Sequence, residues 1–147
     1  MDIKSNYPVS FYFSLLIKGE ELAFKSVSGI SKELVLEEVV SGGENRFKYK
    51  LPTASKYQNL VLSRPVETDK SAFIQWFEKS IDTGLQEGIT TQDVTLFLLG
   101  KGAKPLLSWT FHEAYPVKYS ISELDSMENS LVIETFELAY TYFDIRH

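Results

Sequence analysis

Alternation of apolar and polar positions runs through most of this chain. From Val9 to Ile17, Phe11, Phe13, Leu15 and Ile17 fall on one face of an extended segment, with Tyr12, Ser14 and Leu16 on the other. Lys18-Gly19-Glu20 reads as a turn and Glu21 to Val27 as the returning strand, which Ser28-Gly29 breaks. Lys32 to Val40 reads as a third strand with mixed faces. Tyr57 to Ser63 reads as a short buried strand that Arg64-Pro65 ends. Asp93 to Leu99, Leu106 to Glu113, Val117 to Leu124 and Leu131 to Phe143 complete the set. Gly100 to Lys104 turns the chain, Tyr115-Pro116 makes a corner, and the polar Asp125 to Asn129 joins the last two strands. At roughly 3.3 Å per residue the final strand would span on the order of 40 Å.

One segment departs from period two. Phe73, Phe77 and Ile81 stand at i, i+4 and i+8, with Ile74 and Trp76 beside them, so a helix from Asp69 to Thr83 carries a single apolar stripe. Thr68 or Asp69 is the expected N-cap and Gly84 the residue that ends it. Such a helix docks on a sheet. The expected fold is mainly β: about seven antiparallel strands in a sandwich or barrel with one flanking helix. No linker or repeat divides residues 1–147, so the chain reads as one domain.

Ser41 to Lys50 breaks the strand pattern. Gly42-Gly43 cannot pack as a strand interior, while Arg46-Phe47-Lys48-Tyr49-Lys50 alternates between basic and aromatic. This stretch reads as a protruding hairpin or loop.

Composition narrows the function. With 147 residues, 44% of them hydrophobic and 14% aromatic, the chain is long and apolar enough for a real core, and disorder is not expected. The absence of cysteine excludes disulfides, thiolate nucleophiles and cysteine-ligated zinc, and fits a reducing compartment or a particle stable without cross-links. A net charge of −5 argues against a general phosphate-binding surface. The first residues lack the apolar core of a signal peptide, and no run approaches the ~20 apolar residues of a membrane helix. Synthesis in the cytoplasm is the expectation.

Candidate chemistry is sparse. His112 sits in a strand and His147 is the final residue; no HxH or HExxH spacing occurs, so no metal site is expected. No GxSxG elbow supplies a nucleophile, and neither Gly42-Gly43 nor Gly100-Lys101-Gly102 fits a phosphate loop. Glu37 and Glu38 point to opposite faces of a strand, as do Glu134 and Glu137. No catalytic residue, cofactor or metal is assigned, and the chain reads as a non-enzyme.

The strands themselves carry the positive signal. Leu96-Phe97-Leu98-Leu99 and Leu131-Val132-Ile133 are apolar on both faces, and one helix covers only one face. Either a barrel closes fully, as in a monomeric small-ligand-binding β-barrel, or neighbouring copies cover the rest. Head-to-tail copies give rings when the rotation closes and tubes when rings stack.

Longer motifs then point to a family. Tyr7-Pro8-Val9-Ser10-Phe11-Tyr12-Phe13, Phe24 to Ile30, Gly42 to Pro52, Leu60 to Arg64, Phe73 to Phe77, Trp109 to Tyr119 and Ile133 to Tyr140 together resemble, in order and spacing, the tail-tube proteins of contractile phages and extracellular contractile injection systems. The resemblance covers nearly the whole chain. It implies two packed antiparallel sheets with a flanking helix, as in type VI secretion tubes. It also implies homohexameric rings that stack into the inner tube, using an extended loop and the N-terminal segment. The partners it implies are copies of the chain itself, a contractile sheath, baseplate or tube-adaptor proteins, a terminator cap, and cargo or a tape-measure protein in the lumen. The particle would be assembled without a signal peptide or membrane span and released as a phage tail or injection particle. Contact between subunits or rings is expected at Gly42, Gly43, Glu44, Asn45, Arg46, Phe47, Lys48 and Tyr49, with Arg46, Phe47 and Tyr49 as anchors. The opening motif and the Gly42 to Lys50 block also resemble the baseplate-proximal ring that initiates such a tube.

Overall fold

The structure, a computed structural model, describes residues 11–40, 48–68, 70–84, 86–127 and 131–147. Strands β1 (Tyr12–Ile17) and β2 (Glu20–Phe24) form a hairpin, and β3 is Ser26–Ser28. β4 (Lys32–Val40) pairs with β5 (Lys48–Tyr57) as a separate two-stranded ribbon. β6 (Leu60–Pro65) leads to helix α1 (Ala72–Thr83). β7 (Gln92–Leu99), β8 (Pro105–Ile121), β9 (Ile133–Ala139) and β10 (Tyr142–Arg146) follow.

The main sheet runs β2-β1-β7-β8-β9-β6-β3, with β10 also pairing to β8, and every pairing is antiparallel. Its two ends, β2 and β3, are consecutive in the chain. Only Lys25 separates them, and its N–H donates to the Ser63 carbonyl at 2.9 Å, so the sheet rolls until its ends meet. The result is two packed faces, as the alternation predicts.

Long strands serve both faces by bending. β8 is 17 residues long; its first part pairs with β7 and β10, and its last part with β9. The bend is at Glu113, which adopts φ 54, a left-handed conformation that costs a residue with a Cβ about 1–2 kcal/mol. There His112 and Glu113 oppose Asp93 alone, a bulge, and Asp93 Oδ1 accepts the displaced Glu113 N–H at 3.0 Å. The expected corner at Tyr115-Pro116 is therefore corrected. β8 continues through Pro116, which sits at a second register shift where its missing N–H is tolerated. The expected unbroken strand Leu131 to Phe143 is also corrected. It divides into β9 and β10 at Tyr140-Thr141, opposite the Glu113 bend, where the Thr141 N–H and hydroxyl both donate to the His112 carbonyl.

The core lies inside the roll and under α1. Leu15, Phe24, Leu60, Leu62, Val94, Leu96, Phe111, Phe136 and Leu138 are buried from the strands. Phe73, Trp76 and Phe77 descend from the helix. Phe73 and Phe77 meet Phe136 at centroid distances of 4.9 and 5.0 Å, edge to face. Burying a side chain of this size contributes about 1.5–3 kcal/mol. Aromatic rings fill the interior that a ligand barrel would keep open.

The helix begins later than expected. Asp69 lies outside the described residues, and Ser71, not Thr68, is the N-cap; its side chain accepts the Ile74 N–H at 3.2 Å. Glu20 Oε2, from β2, accepts the Ala72 N–H at 2.9 Å and places a carboxylate at the positive helix end. Gly84 ends the helix at φ 52 and returns its N–H to the Ser80 carbonyl.

Candidate assembly surface

The ribbon β4–β5 follows from its sequence. Val35, Val39, Val40 and Tyr49 favour extended backbone, and direct cross-strand pairs such as Glu33↔Lys56 and Glu38↔Lys50 set opposite charges side by side. An extra residue in β5, Thr53, makes a bulge, and its hydroxyl donates to the Val35 carbonyl at 3.0 Å. At roughly 3.3 Å per residue the nine residues of β4 reach about 30 Å.

Among the described residues, the ribbon is exposed along its length beyond the root. All nine residues of β4 are exposed, and so is β5 from Tyr49 to Lys56. Alternation along β4 puts Leu34, Leu36 and Val40 on one face and Val35 and Val39 on the other. Register adds Tyr49 and Leu51 to the second face. Leu34, Val40 and Tyr49 are 55%, 58% and 57% exposed. A two-stranded ribbon that is apolar on both faces does not hold itself in water and presents outer edges ready to pair.

Of the contact residues expected from the sequence, Gly42, Gly43, Glu44, Asn45, Arg46 and Phe47 lie outside the described residues, as do Tyr7 to Ser10. The backbone of Lys48 pairs with Val40 in the ribbon, and Tyr49 projects from it. The stretch read as a protruding hairpin or loop up to Lys50 is, from Lys48, the start of a ten-residue strand paired with β4. Sequence reasoning missed Leu34, Val35, Leu36 and Leu51 as surface residues. The signal was present: the mixed faces of Lys32 to Val40 suit a strand buried on neither side within its own chain.

Two other features stand apart from the ribbon. A half-open groove of about 520 Å³ lies between α1 and the ends of β8 and β9, lined in part by Phe77, Ile81, Val117 and Phe136. Beneath it Tyr119 donates to Glu134 Oε2 at 2.9 Å. Burial, reinforced by that bond and by the Glu134 charge, pushes the Tyr119 phenol up to about 12. On the outer face of β8, His112 places its two ring nitrogens 2.8 Å from Asp144 and 3.6 Å from Asp93, with Tyr142 stacked on the ring at 4.3 Å. The two carboxylates meet opposite edges of the imidazole, so they do not converge with it on one point. No helix among the described residues is long and apolar enough to cross a membrane.

Known proteins give this surface a context. The family described as T4-like virus tail tube protein gp19 matches residues 9–144. A chain in the six-fold symmetrised baseplate structure of the anti-feeding prophage is 27% identical, with a TM-score of 0.78 over 92% of this chain and 91% of that one. A chain of the sheath-tube complex of an extracellular contractile injection system, PVC, in its extended state is 20% identical; its TM-score is 0.80 over 99% and 98% of the two chains. Hcp1 from Flavobacterium johnsoniae shares the fold at 19% identity, with a TM-score of 0.58 over 91% and 94%. No curated protein matches the sequence.

Proposed function

The chain belongs to the T4-like virus tail tube protein gp19 family, and from that premise we propose that it builds the inner tube of a contractile phage tail or injection particle as homohexameric rings. Its role is structural: the subunit is a brick, and its chemistry is the chemistry of contact. The observation that carries this reading is the β4–β5 ribbon, whose apolar side chains face outward on both sides. In a ring or stack these residues meet neighbouring copies, which remove their surface from water and pair their free edges. The six-fold symmetry of the baseplate that contains the 27% identical relative supports six copies per ring.

The partners follow from solved structures that contain similar chains: a baseplate, a sheath-tube complex and a sheath/tube terminator. We assign this chain a sheath around the tube, a baseplate or adaptor at one end, a terminator cap at the other and cargo or a tape measure within. The particle forms inside the producing bacterium and acts outside it. Gly42 to Tyr49 are assigned the contact with the next ring on the strength of the sequence, with Arg46, Phe47 and Tyr49 as anchors. Replacing Arg46 and Phe47 by alanine abolishes tubes and leaves a folded monomer; normal tubes from that variant, seen by negative-stain microscopy, overturn the assignment.

A second reading places the chain in the ring that initiates the tube. The relative at 27% identity comes from a baseplate structure, which favours it. Purified initiator stops at isolated rings, whereas bulk tube protein grows into long tubes.

A further inference from the structure

The ribbon protrudes, yet it leaves the body at a defined place. β3 pairs with β6 inside the body, and β4 pairs with β5 outside it. Because β3 runs into β4 and β5 into β6, the two ladders are one long arm, interrupted where residues 29–31 face Gln58, Asn59 and Leu60. An interruption in a ladder is a place to hinge. Two contacts occupy it.

The first is a backbone approach. Gly29, at φ 87, lies so close to Asn59 that a Cβ built on it falls 2.0 Å from the Asn59 carbonyl oxygen. The two legs of the arm touch with no side chain between them. Asn59 is held in turn, its Nδ2 donating to Glu137 on β9 at 2.9 Å.

The second is an aromatic seat. Tyr57, the last residue of β5, packs edge to face on Phe143 at 5.5 Å and on Tyr140 at 5.9 Å. Both of those rings rest on Phe111, at 5.5 and 4.9 Å. Lys32, the cross-strand partner of Tyr57 and the first residue of β4, holds its Nζ 5.1 Å above the Phe143 ring. The first residue of one leg and the last of the other therefore meet one cluster, carried by β8, β10 and the turn before it. Elsewhere the ribbon's described side chains are solvent-exposed.

We propose that this seat sets the angle of the ribbon to the body, and that Tyr57 and Lys32 are positioning residues for assembly. Edge-to-face rings have preferred geometries, so three of them fix an orientation where a flexible aliphatic contact would not. Pre-setting the ribbon lowers the ordering cost when a neighbour docks. The inference rests on the reading of the ribbon as a contact between copies, and its test separates the two.

The chain has no cysteine, so Glu37→Cys and Lys101→Cys place one spin label on the ribbon and one on the body without background. Labelled protein diluted in an excess of unlabelled parent is measured by pulsed electron paramagnetic resonance. The parent and Tyr57→Phe, which keeps the ring, show one narrow distance. Tyr57→Leu spreads that distance and loses tubes while its thermal transition persists, and Lys32→Met spreads it less. A broad distance in the parent, or an unchanged narrow one in Tyr57→Leu, overturns the seat. Should Tyr57→Leu not fold, Lys32→Met decides the matter: an unchanged narrow distance there overturns the seat. Leu51→Asp, far from the seat, tests the ribbon instead. If it abolishes assembly while Tyr57→Leu keeps the narrow distance, the seat fails and the ribbon stands. If Leu51→Asp assembles normally, the ribbon's role fails.

Discussion

The Nε of Arg64 lies 2.6 Å from Oε1 of Glu134, and both side chains are almost wholly buried. They face each other across the register of β6 and β9. The guanidinium is flanked by the rings of Phe24 and Phe136, at 5.5 and 5.4 Å, and reaches Glu67 at 3.3 Å. Tyr119 donates to the other oxygen of Glu134. Charge, hydrogen bonds and aromatic faces thus satisfy a pair that would otherwise be costly to bury. Breaking it on one side leaves a lone charge in the core. Glu134→Leu or Arg64→Met alone is expected to lower stability by about 3–5 kcal/mol, and the double variant to recover most of that. Urea unfolding measures both; single variants that cost under about 1 kcal/mol contradict the account.

Gly29 makes a sharper prediction at the ribbon root. Gly29→Ala must move the Asn59 carbonyl and also strain a residue at positive φ. A loss of at least about 2 kcal/mol is expected, from overpacking and backbone strain together. Gly19→Ala shares the positive φ but meets open space, so it is expected to cost about 1 kcal/mol. Equal effects of the two substitutions in thermal unfolding would remove the close-approach argument.

Alkaline pH tests two phenols, the buried hydroxyl of Tyr140 and the partly exposed Tyr119. Burial pushes Tyr119 up to about 12, aided by Glu134, and burial pushes Tyr140 to the same value, aided by Tyr57. Both groups are held neutral in the fold and ionise more readily when unfolded, near 10. Their contribution is fully present below pH 10 and is lost as pH rises through 12. Stability measured between those values falls with pH, and Tyr119→Phe makes the slope shallower. Tyr140→Phe does so too. Because the Tyr140 hydroxyl is buried with no hydrogen-bond partner among the described residues, its removal also leaves neutral-pH stability unchanged or up to about 1 kcal/mol higher.

The ribbon face separates assembly from folding. Leu51 is 49% exposed and lies beside Tyr49, outside the core. Leu51→Asp is expected to change unfolding by no more than about 0.5 kcal/mol, as surface substitutions do. Sedimentation should show that it prevents large particles from forming. Loss of the fold would instead place Leu51 in the body.

Much of this architecture was legible because the strands that make the roll are half-buried. Val94 and Leu96 in β7, and Glu134, Phe136 and Leu138 in β9, alternate as a sheet with one inner face requires. The helix stripe Phe73–Phe77 was equally plain, though its true cap, Ser71, competes in sequence with Thr68 and Asp69. The bend in β8 was not legible. Pro116 looked like the break, yet the turn is made by Glu113, whose left-handed backbone depends on Asp93 from another strand taking its N–H. The ribbon was half legible. Lys48 to Tyr57 carries Lys, Pro, Thr, Ala and Ser among its few apolar residues, and its strand exists because β4 pairs with it, a relation no local pattern displays. Of the expected contact residues, the described part shows Tyr49 on that ribbon, exposed on a face with Val35, Val39 and Leu51.

Electron microscopy of the purified chain, averaged along the view down the particle axis, addresses the central claim most directly. The account predicts hollow rings of six subunits, alone or stacked, whose neighbours touch through the β4–β5 ribbon. Single 147-residue molecules at every concentration, with the ribbon left bare, would contradict it.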